Sequence, residues 1–367
     1  MLDFQIQKSD LRVARMVEVD LAPLAEGAVR LRLDLFGLTS NNVTYAAMGT
    51  GPLGYWDFFP GPPGWGRLPV WGFGTVLESH AEGVQAGERF YGYFPTSEFL
   101  DVLPTRVSPR GFMDGAPHRR AKAAVYNLYP NAASDPAYDA AFEAEQAIWR
   151  PLYATGWWAA DCVARGEPKP KSVVVSSASS KTALATVHRL QQMGGLRRVA
   201  LTSERNLAYV CETGLYDEAR SYDDAGSLRV EAPAVYLDFL GREALTASVH
   251  RALGRSLVRS ILVGATDWGS KPGGVVLPEG EIEGVQPEFF FVPEYAGERL
   301  KSDPAAGVAM MRDLRDFYPA SRACVSAGHQ AGKDAIADGW SRLLAGGVPA
   351  EAGLAFSFGE KAQSAPA

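Results

Sequence analysis

The spacing of apolar and polar residues divides the chain into parts of different character. In about the first 110 residues, short runs that alternate apolar and polar positions are separated by Gly and Pro, and VRLRLDL at 29–35 is the clearest of them. The segments 71–79 and 88–94 have the same strand-like composition, with the Gly-containing segment AEGVQAG between them. Short strands joined by Gly-rich turns predict an irregular β-barrel or sandwich.

Further along the chain, apolar runs alternate with helical patterns. The β-branched run Val173-Val174-Val175 is typical of a buried parallel strand, and a helical pattern follows it. Strands are also predicted at 198–201, 235–239, 260–263 and 352–358, and helices at 138–164, 206–213, 308–317, 333–344 and up to Leu253. The alternation predicts a parallel doubly wound sheet, and we expect the last strand to return to the N-terminal barrel.

The turn after the first of these parallel strands is rich in serine, where a dinucleotide site usually has glycine. Glycine lets the backbone approach a pyrophosphate closely, while serine and alanine are the smallest substitutes and serine hydroxyls donate to phosphate oxygens. We therefore predict a pyrophosphate site formed by Ser176, Ser177, Ser179, Ser180, Lys181 and Thr182. The alternative is a capped helix start, for which serine is also favoured.

The residues after the second parallel strand bear on the choice between NAD and NADP. An NAD-specific site places an acidic residue on the ribose 2′-hydroxyl ~20 residues beyond the turn, and Thr202 occupies that position here. Ser203 and Arg205 follow with a hydroxyl and a bidentate cation for a 2′-phosphate, so the sequence favours NADP(H). Taken alone, Arg205 also fits a solvated surface arginine.

Two more strand ends are expected to face the same ligand crevice. Asp238 lies at the end of the strand at 235–239, where it fits either a cofactor contact or a helix cap. Gly264, Ala265 and Thr266 follow the strand at 260–263, and the glycine permits close approach of the backbone to a ligand.

Composition and charge narrow the function classes. The 367 residues are 47% hydrophobic and 21% charged, a globular composition with room for two domains. The formal net charge is −6 and no run of five or more Lys or Arg occurs, which argues against nucleic acid or a membrane as the main partner. The three scattered cysteines indicate a reducing compartment with no disulfide framework. The chain shows neither the apolar core of a signal peptide nor an apolar stretch of about 20 residues that could span a membrane, so a cytoplasmic protein is predicted.

Several longer stretches resemble the medium-chain dehydrogenase/reductase superfamily, and more narrowly a branch of it catalogued as a domain of unknown function. The matching segments are SNNVTYAAMGTGPLGYWDFFP, VWGFGTVLES, GERFYGYFP, VVVSSASSKTA, LTSERN, VYLDFLGREAL and ILVGATDW. The resemblance implies an α/β protein with a GroES-like β-barrel domain at 1–145 and 320–367 and a Rossmann-type domain at 146–319. It also implies a homodimer and a cleft where a nicotinamide meets its substrate.

The same resemblance bears on metal use. Zinc-dependent members carry a catalytic cysteine, a Gly-His-Glu motif and a lobe of four clustered cysteines, and none of these occurs here; Ser40 lies near the expected cysteine position. Three dispersed cysteines cannot form either tetrahedral site, so no metal ligands are expected. The chain is therefore similar to the zinc-independent quinone-oxidoreductase group.

Without a metal, charge that develops on a substrate oxygen has to be met by hydrogen-bond donors and a proton. Tyr45 is the first candidate, because it lies four residues before Gly49, as a tyrosine does in some quinone-reductase-like members. Other candidates are Asn42 to orient a substrate oxygen, the phenols Tyr55 and Tyr93, and Trp56 as an aromatic wall. Core packing for the aromatic residues and a turn role for the asparagine are the alternatives.

These inferences lead to one hypothesis and two alternatives. The hypothesis is a zinc-independent, NADPH-dependent oxidoreductase that transfers hydride to a carbonyl or α,β-unsaturated carbonyl small molecule of apolar or aromatic character. A non-catalytic NADPH-binding sensor and an enoyl-thioester reductase of a biosynthetic pathway remain open.

Overall fold

The computed structural model describes residues 1–51, 53–263 and 285–359. The chain divides into two compact units, of which unit 1 comprises Met1–Arg150 and Met311–Ala367 and unit 2 comprises Pro151–Met310. Each unit has its own sheets and its own core.

The described strands, in chain order, are β1 (Leu2–Gln7), β2 (Ala14–Glu18), β3 (Val29–Leu38), β4 (Trp65–Arg67), β5 (Pro69–Ser79), β6 (Arg89–Pro95), β7 (Phe99–Val102), β8 (Pro104–Ser108), β9 (Gly111–Asp114), β10 (Leu128–Pro130), β11 (Ser172–Val175), β12 (Arg197–Thr202), β13 (Glu218–Ser221), β14 (Ala234–Asp238), β15 (Leu257–Leu262), β16 (Pro287–Phe289), β17 (Ser326–Ala331) and β18 (Ala352–Ser357). The described α-helices are α1 (Ser40–Ala47), α2 (Glu143–Arg165), α3 (Lys181–Met193), α4 (Leu207–Glu212), α5 (Glu243–Leu253), α6 (Val292–Ser302), α7 (Ala305–Ser321) and α8 (Lys333–Leu344).

Unit 1 is built around a largely antiparallel sheet in the order β17-β18-β3-β5-β6, with β7 paired to β3. Two three-stranded sheets, β2-β1-β4 and β10-β9-β8, complete it. The C-terminal strand β18 pairs antiparallel with β3 through Leu354↔Leu38 and Phe356↔Phe36. The expected return of the C-terminus to the N-terminal sheet is therefore found.

The alternating pattern of β3 explains which face of the main sheet packs inward. Leu31 and Leu33 are buried, while Arg32 between them is exposed. β3 pairs with β5, and at Gly72 of β5 a Cβ atom would lie 2.1 Å from the carbonyl oxygen of Leu35 on β3. Glycine is required at this position because any side chain would clash with the neighbouring backbone.

Unit 2 contains a parallel sheet of six strands in the order β13-β12-β11-β14-β15-β16. Numbered within the unit this order is 3-2-1-4-5-6, the arrangement of a Rossmann-type sheet. Val173, Val174 and Val175 of β11 are completely buried, as the central strand of a sheet covered on both faces requires. The predicted doubly wound parallel sheet is confirmed.

Among the described residues, no helix is long and apolar enough to cross a membrane.

Candidate functional site

The serine-rich turn lies at the point where the order of strands in unit 2 reverses direction. It follows β11, which pairs with β12 on one side and with β14 on the other. In open α/β sheets, ligands bind in the crevice beyond the carboxyl ends of the strands at such a switch point. The turn therefore lies where open α/β sheets bind their ligands.

The backbone of this turn adopts the shape that glycines usually provide. Ser177 has a φ of 48°, in the left-handed region that L-residues other than Asn and Asp seldom enter. The amide of Ser180 donates to the Ser177 carbonyl over 2.7 Å, and Ser180 then serves as the N-cap of α3, its hydroxyl accepting from the Ala183 amide at 3.4 Å. Lys181 and Thr182 are half-buried in the first turn of that helix.

Ser176 and Asp238 join the turn to the end of β14. The Ser176 hydroxyl donates to the Asp238 carboxylate over 2.6 Å and accepts from the amides of Phe239 and Leu240. The same carboxylate accepts from the Leu240 and Gly241 amides and from the Thr246 hydroxyl. Since Ser176 is fully buried and Asp238 is 2% exposed, these two predicted cofactor contacts hold the turn from inside the protein.

The segment after β12 meets the turn through a residue that the sequence analysis did not select. Asn206 donates from its side-chain amide to the Ser179 hydroxyl over 2.9 Å. Thr202 is completely buried, and its hydroxyl has no hydrogen-bond partner in the described parts of the chain. Ser203 is half-buried and Arg205 is exposed, so the cation proposed for a 2′-phosphate is accessible. The predictions for Gly264, Ala265 and Thr266 lie outside the described residues.

In unit 1, the predicted catalytic residues gather around α1. Asn42 uses both ends of its side-chain amide within the protein: its oxygen accepts from the Thr39 amide at 2.8 Å, and its nitrogen donates to the Pro69 carbonyl at 2.9 Å. The first bond caps the helix and the second attaches it to the start of β5. Asn42 is 3% exposed, which matches a structural role in placing α1.

Tyr45, one turn further along α1, is held at its hydroxyl by two donors. The Asn41 amide nitrogen lies 2.8 Å from the phenol oxygen and the indole nitrogen of Trp71 lies 3.1 Å from it. Asn41 and Tyr45 are four residues apart and so share a helix face. Tyr45 is 5% exposed, and burial raises the pKa of its phenol well above the ordinary value.

The other predicted phenols surround Tyr45. The Tyr55 ring lies 4.5 Å from the Tyr45 ring and the Tyr93 ring lies 5.6 Å from it, edge-on. The Tyr55 hydroxyl is 3.3 Å from that of Tyr126, whereas the buried Tyr93 hydroxyl finds no partner among the described residues. Burial raises the pKa of Tyr55 and Tyr93 as well, so all three phenols carry their protons at neutral pH.

Trp56, expected to form an aromatic wall, packs elsewhere in unit 1. It belongs to the apolar core, and its ring lies directly over Gly49 and Gly66, whose missing side chains leave the space it fills. Trp71 instead stands beside the phenols, with its ring 4.8 Å from that of Tyr93. Trp71 and Tyr93 are directly opposite each other on β5 and β6. The sequence analysis did not select Trp71, because the pairing register of two strands cannot be derived from the sequence alone.

No group of three or more His, Cys, Asp or Glu residues is placed to hold a metal ion in the portion of the chain that the structure describes.

The sequence matches one known protein family. Residues 36–349 match the model of a family described as Protein of unknown function (DUF2855). No curated protein matches the sequence.

Solved structures show a similar fold over almost the whole chain. CurA in complex with NADPH from Vibrio vulnificus is 14% identical, with a TM-score of 0.61, over 95% of this chain and 94% of that chain. A mycobacterial protein complexed with NADPH is 15% identical, with a TM-score of 0.59, over 97% and 99% of the two chains. A candidate NADPH:quinone reductase from Mesorhizobium loti is 12% identical, with a TM-score of 0.61, over 94% and 90%. The predicted α/β fold, with a largely antiparallel β-sheet unit and a unit built on a Rossmann-type parallel sheet, is confirmed.

Proposed function

The chain belongs to the family described as Protein of unknown function (DUF2855), and from that premise we propose that it is an NADPH-dependent oxidoreductase that reduces a small carbonyl or α,β-unsaturated carbonyl compound. The observation that carries the proposal is the serine-rich turn at the switch point of a Rossmann-type sheet, with Ser177 in a glycine-like conformation. The complexes with NADPH among proteins of similar fold support the choice of cofactor.

The residues around the turn fit this cofactor. The side chains at 176–180 are all small, α3 begins directly after them, and the amides at a helix N-terminus favour an anion. Thr202 lies at the end of β12, close to where a ribose is expected in this fold, but its hydroxyl is fully buried and has no partner among the described residues. We assign Ser177, Ser179, Ser180, Lys181 and Thr182 to the pyrophosphate and Ser203 and Arg205 to the ribose 2′-phosphate, while Ser176 and Asp238 shape the turn and the fully buried Thr202 does not reach the cofactor.

NADPH, when bound, supplies the hydride for the reduction. The chain's own part is to hold the anionic groups at α3 and Arg205 and to provide a proton to the reduced substrate. Tyr45 is the proposed proton donor, and the neighbouring rings of Tyr55, Tyr93 and Trp71 favour an apolar or ring-containing substrate. In this proposal Asn42 positions α1 and does not touch the substrate.

Replacing Arg205 with Leu tests the cofactor assignment. We expect NADPH binding to weaken roughly 10- to 100-fold, because a hydrogen bond to a charged group contributes about 1.5–3 kcal/mol, while NADH binding stays unchanged. The measurement is a fluorescence titration with each cofactor. Arg255→Leu is the matched control, since Arg255 is also exposed but precedes β15, at the opposite end of the parallel strands.

The catalytic part of the proposal needs a second measurement on the same protein. NADPH oxidation is followed with a quinone, an enone, an aldehyde and an enoyl thioester. Turnover of the thioester alone would identify the enoyl-thioester alternative. Tight NADPH binding with no NADPH oxidation in the presence of any of the four compounds would overturn the enzymatic proposal in favour of a sensor. No NADPH binding would overturn the enzyme and the sensor proposals alike.

We also propose that the protein is a homodimer joined at β16. In the described sheet this strand pairs with β15 alone, and Phe289 on it is 63% exposed. A strand that has one neighbour in the described sheet and carries an exposed aromatic residue favours pairing with a second chain at its other edge.

A further inference from the structure

The hydroxyl of Tyr45 has a restricted set of hydrogen-bonding options. A phenol oxygen has two lone pairs and one O–H group. In this structure both acceptor positions are used, by Asn41 at 2.8 Å and by Trp71 at 3.1 Å. The remaining option is for the O–H group to donate.

We propose that Asn41 and Trp71 are positioning residues that hold Tyr45 as a proton donor, an inference that rests on the proposed reductase function. Neither side chain has to touch the substrate. Each side chain donates a hydrogen bond to the phenol oxygen. This bond holds the oxygen in place and stabilises its negative charge after the proton has left.

The arrangement follows from how α1 is attached to β5. Asn42 caps the helix and donates to the Pro69 carbonyl, which ties α1 to the first residue of β5. Trp71 is two residues further along that strand, on the same face as Pro69. The helix therefore presents Tyr45 to an indole N–H from the strand, while Asn41 reaches it from the preceding helical turn.

The surroundings make these two donors matter for acidity. The titratable groups around Tyr45 are other phenols, Tyr55, Tyr91, Tyr93 and Tyr126, and burial raises the pKa of each of them. Burial and the neighbouring Tyr55 likewise raise the pKa of Tyr45, whereas the bonds from Trp71 and Asn41, and to a smaller extent the Tyr93 side chain, lower it. The two donors thus offset part of the desolvation that would otherwise make a phenolate inaccessible.

The proposed reduction adds a hydride and a proton across one double bond of the substrate. The hydride, which NADPH would supply and which would leave NADP⁺, adds to the electrophilic carbon, and the electron pair of the double bond moves to the atom that becomes basic. The O–H bond of Tyr45 breaks, and its proton forms a new bond to that atom. The negative charge rests on the Tyr45 oxygen, which keeps its bonds from Asn41 and Trp71 until solvent returns a proton.

The direct test places 3,5-difluorotyrosine at position 45 and follows its titration by ¹⁹F NMR in the full-length protein. This label is more acidic than tyrosine, so its phenolate forms in an accessible pH range. In Asn41→Leu and Trp71→Phe we expect its pKa to rise by about one to two units each, the effect of losing one hydrogen bond to a charged group. Trp340→Phe is the matched control, because its indole N–H donates to the Leu11 carbonyl at 2.9 Å, and its loss should leave the titration unchanged.

Equal pKa values in the parent protein and both variants would overturn the positioning role. Each variant removes a different donor, so the test stands if only one of them folds. With an active substrate, either substitution should lower kcat about tenfold or more and leave KM unchanged, because the interaction strengthens only as charge develops. If NADPH binds and is oxidised while the titration does not move, only this inference falls; if NADPH does not bind, the proposed function falls and the catalytic role of the pair falls with it.

Discussion

Ser177 adopts a backbone conformation that glycine adopts more readily. Its φ of 48° lies in the left-handed region, where a Cβ atom crowds the following carbonyl, yet the residue sits in the turn proposed to hold a pyrophosphate. In the proposed site a serine offers a phosphate its hydroxyl as well as its backbone amide, whereas glycine offers the amide alone. At the residue scale, serine at this position therefore costs backbone strain and adds a hydrogen-bonding group.

This strain predicts how position 177 responds to substitution. Ser177→Val should lower the free energy of unfolding by roughly 1–2 kcal/mol, since a β-branched residue is poorly tolerated at positive φ. Ser177→Gly should stay within about 1 kcal/mol of the parent, because relief of strain and the added flexibility of the unfolded chain oppose each other. Urea denaturation measures both.

Ser203→Val serves as the control, because Ser203 has a φ of −73° and a ψ of 152°, which valine adopts readily. Similar losses in Ser177→Val and Ser203→Val would show that backbone strain at position 177 is not the cause.

At the scale of elements, α5 and β15 are joined by a buried histidine. His250 of α5 is 2% exposed, and its Nε2 lies 2.8 Å from the Ser260 hydroxyl of β15. Burial lowers the pKa of His250 below its ordinary value of 6.5, and the nearby Asp238 opposes this only in part. The histidine is therefore neutral in the folded protein at neutral pH.

This state predicts a pH dependence of stability. Between the lowered pKa of the native state and the ordinary value of about 6.5, the unfolded chain binds a proton that the native protein does not, so stability falls as pH decreases through that window. His250→Gln removes this titration, and its unfolding free energy should fall less between pH 7 and pH 5. Urea denaturation at several pH values compares the two, and parallel curves would contradict the prediction.

Periodicity located six of the eight described α-helices but only eight of the eighteen described strands. The strand expected at 29–35 is β3, which continues to Leu38, and the helix expected at 333–344 is α8 with the same bounds. The strand β17 was missed, because its sequence SAGHQA has neither alternation nor a β-branched residue and most of it is exposed. Its pairing with the well-patterned β18 explains why it forms a strand.

At the scale of the whole molecule, the proposed dimer makes a direct prediction. Phe289→Glu places a charge on the exposed face of β16 and should convert a dimer into single chains, as measured by sedimentation velocity. Val308→Glu is the control, since Val308 is also in unit 2 and is 73% exposed, yet belongs to helix α7 and not to β16. A parent protein that sediments as a monomer would rule out this mode of association.

The candidate site was only partly visible in the sequence. The serine-rich turn and Arg205 could be selected from local composition and spacing, since small residues between a strand and a helix are a local feature. Tyr45 was selected from the resemblance to quinone-reductase-like members. Asn41 and Trp71 could not be selected, because the structure brings them to Tyr45 through the attachment of α1 to β5. The sequence analysis chose Asn42, whose amide is used to make that attachment.

By itself, the sequence determined the two kinds of architecture and the place of the serine-rich turn, because periods of two and of about 3.6 residues and β-branched runs are local consequences of backbone geometry. Only the tertiary structure decided which polar groups face a ligand and which hold the protein together. Ser176 and Asp238 are 62 residues apart in the chain, yet they bond across neighbouring strands. Such contacts depend on strand order and register, and these are set by how whole sheets pack their cores.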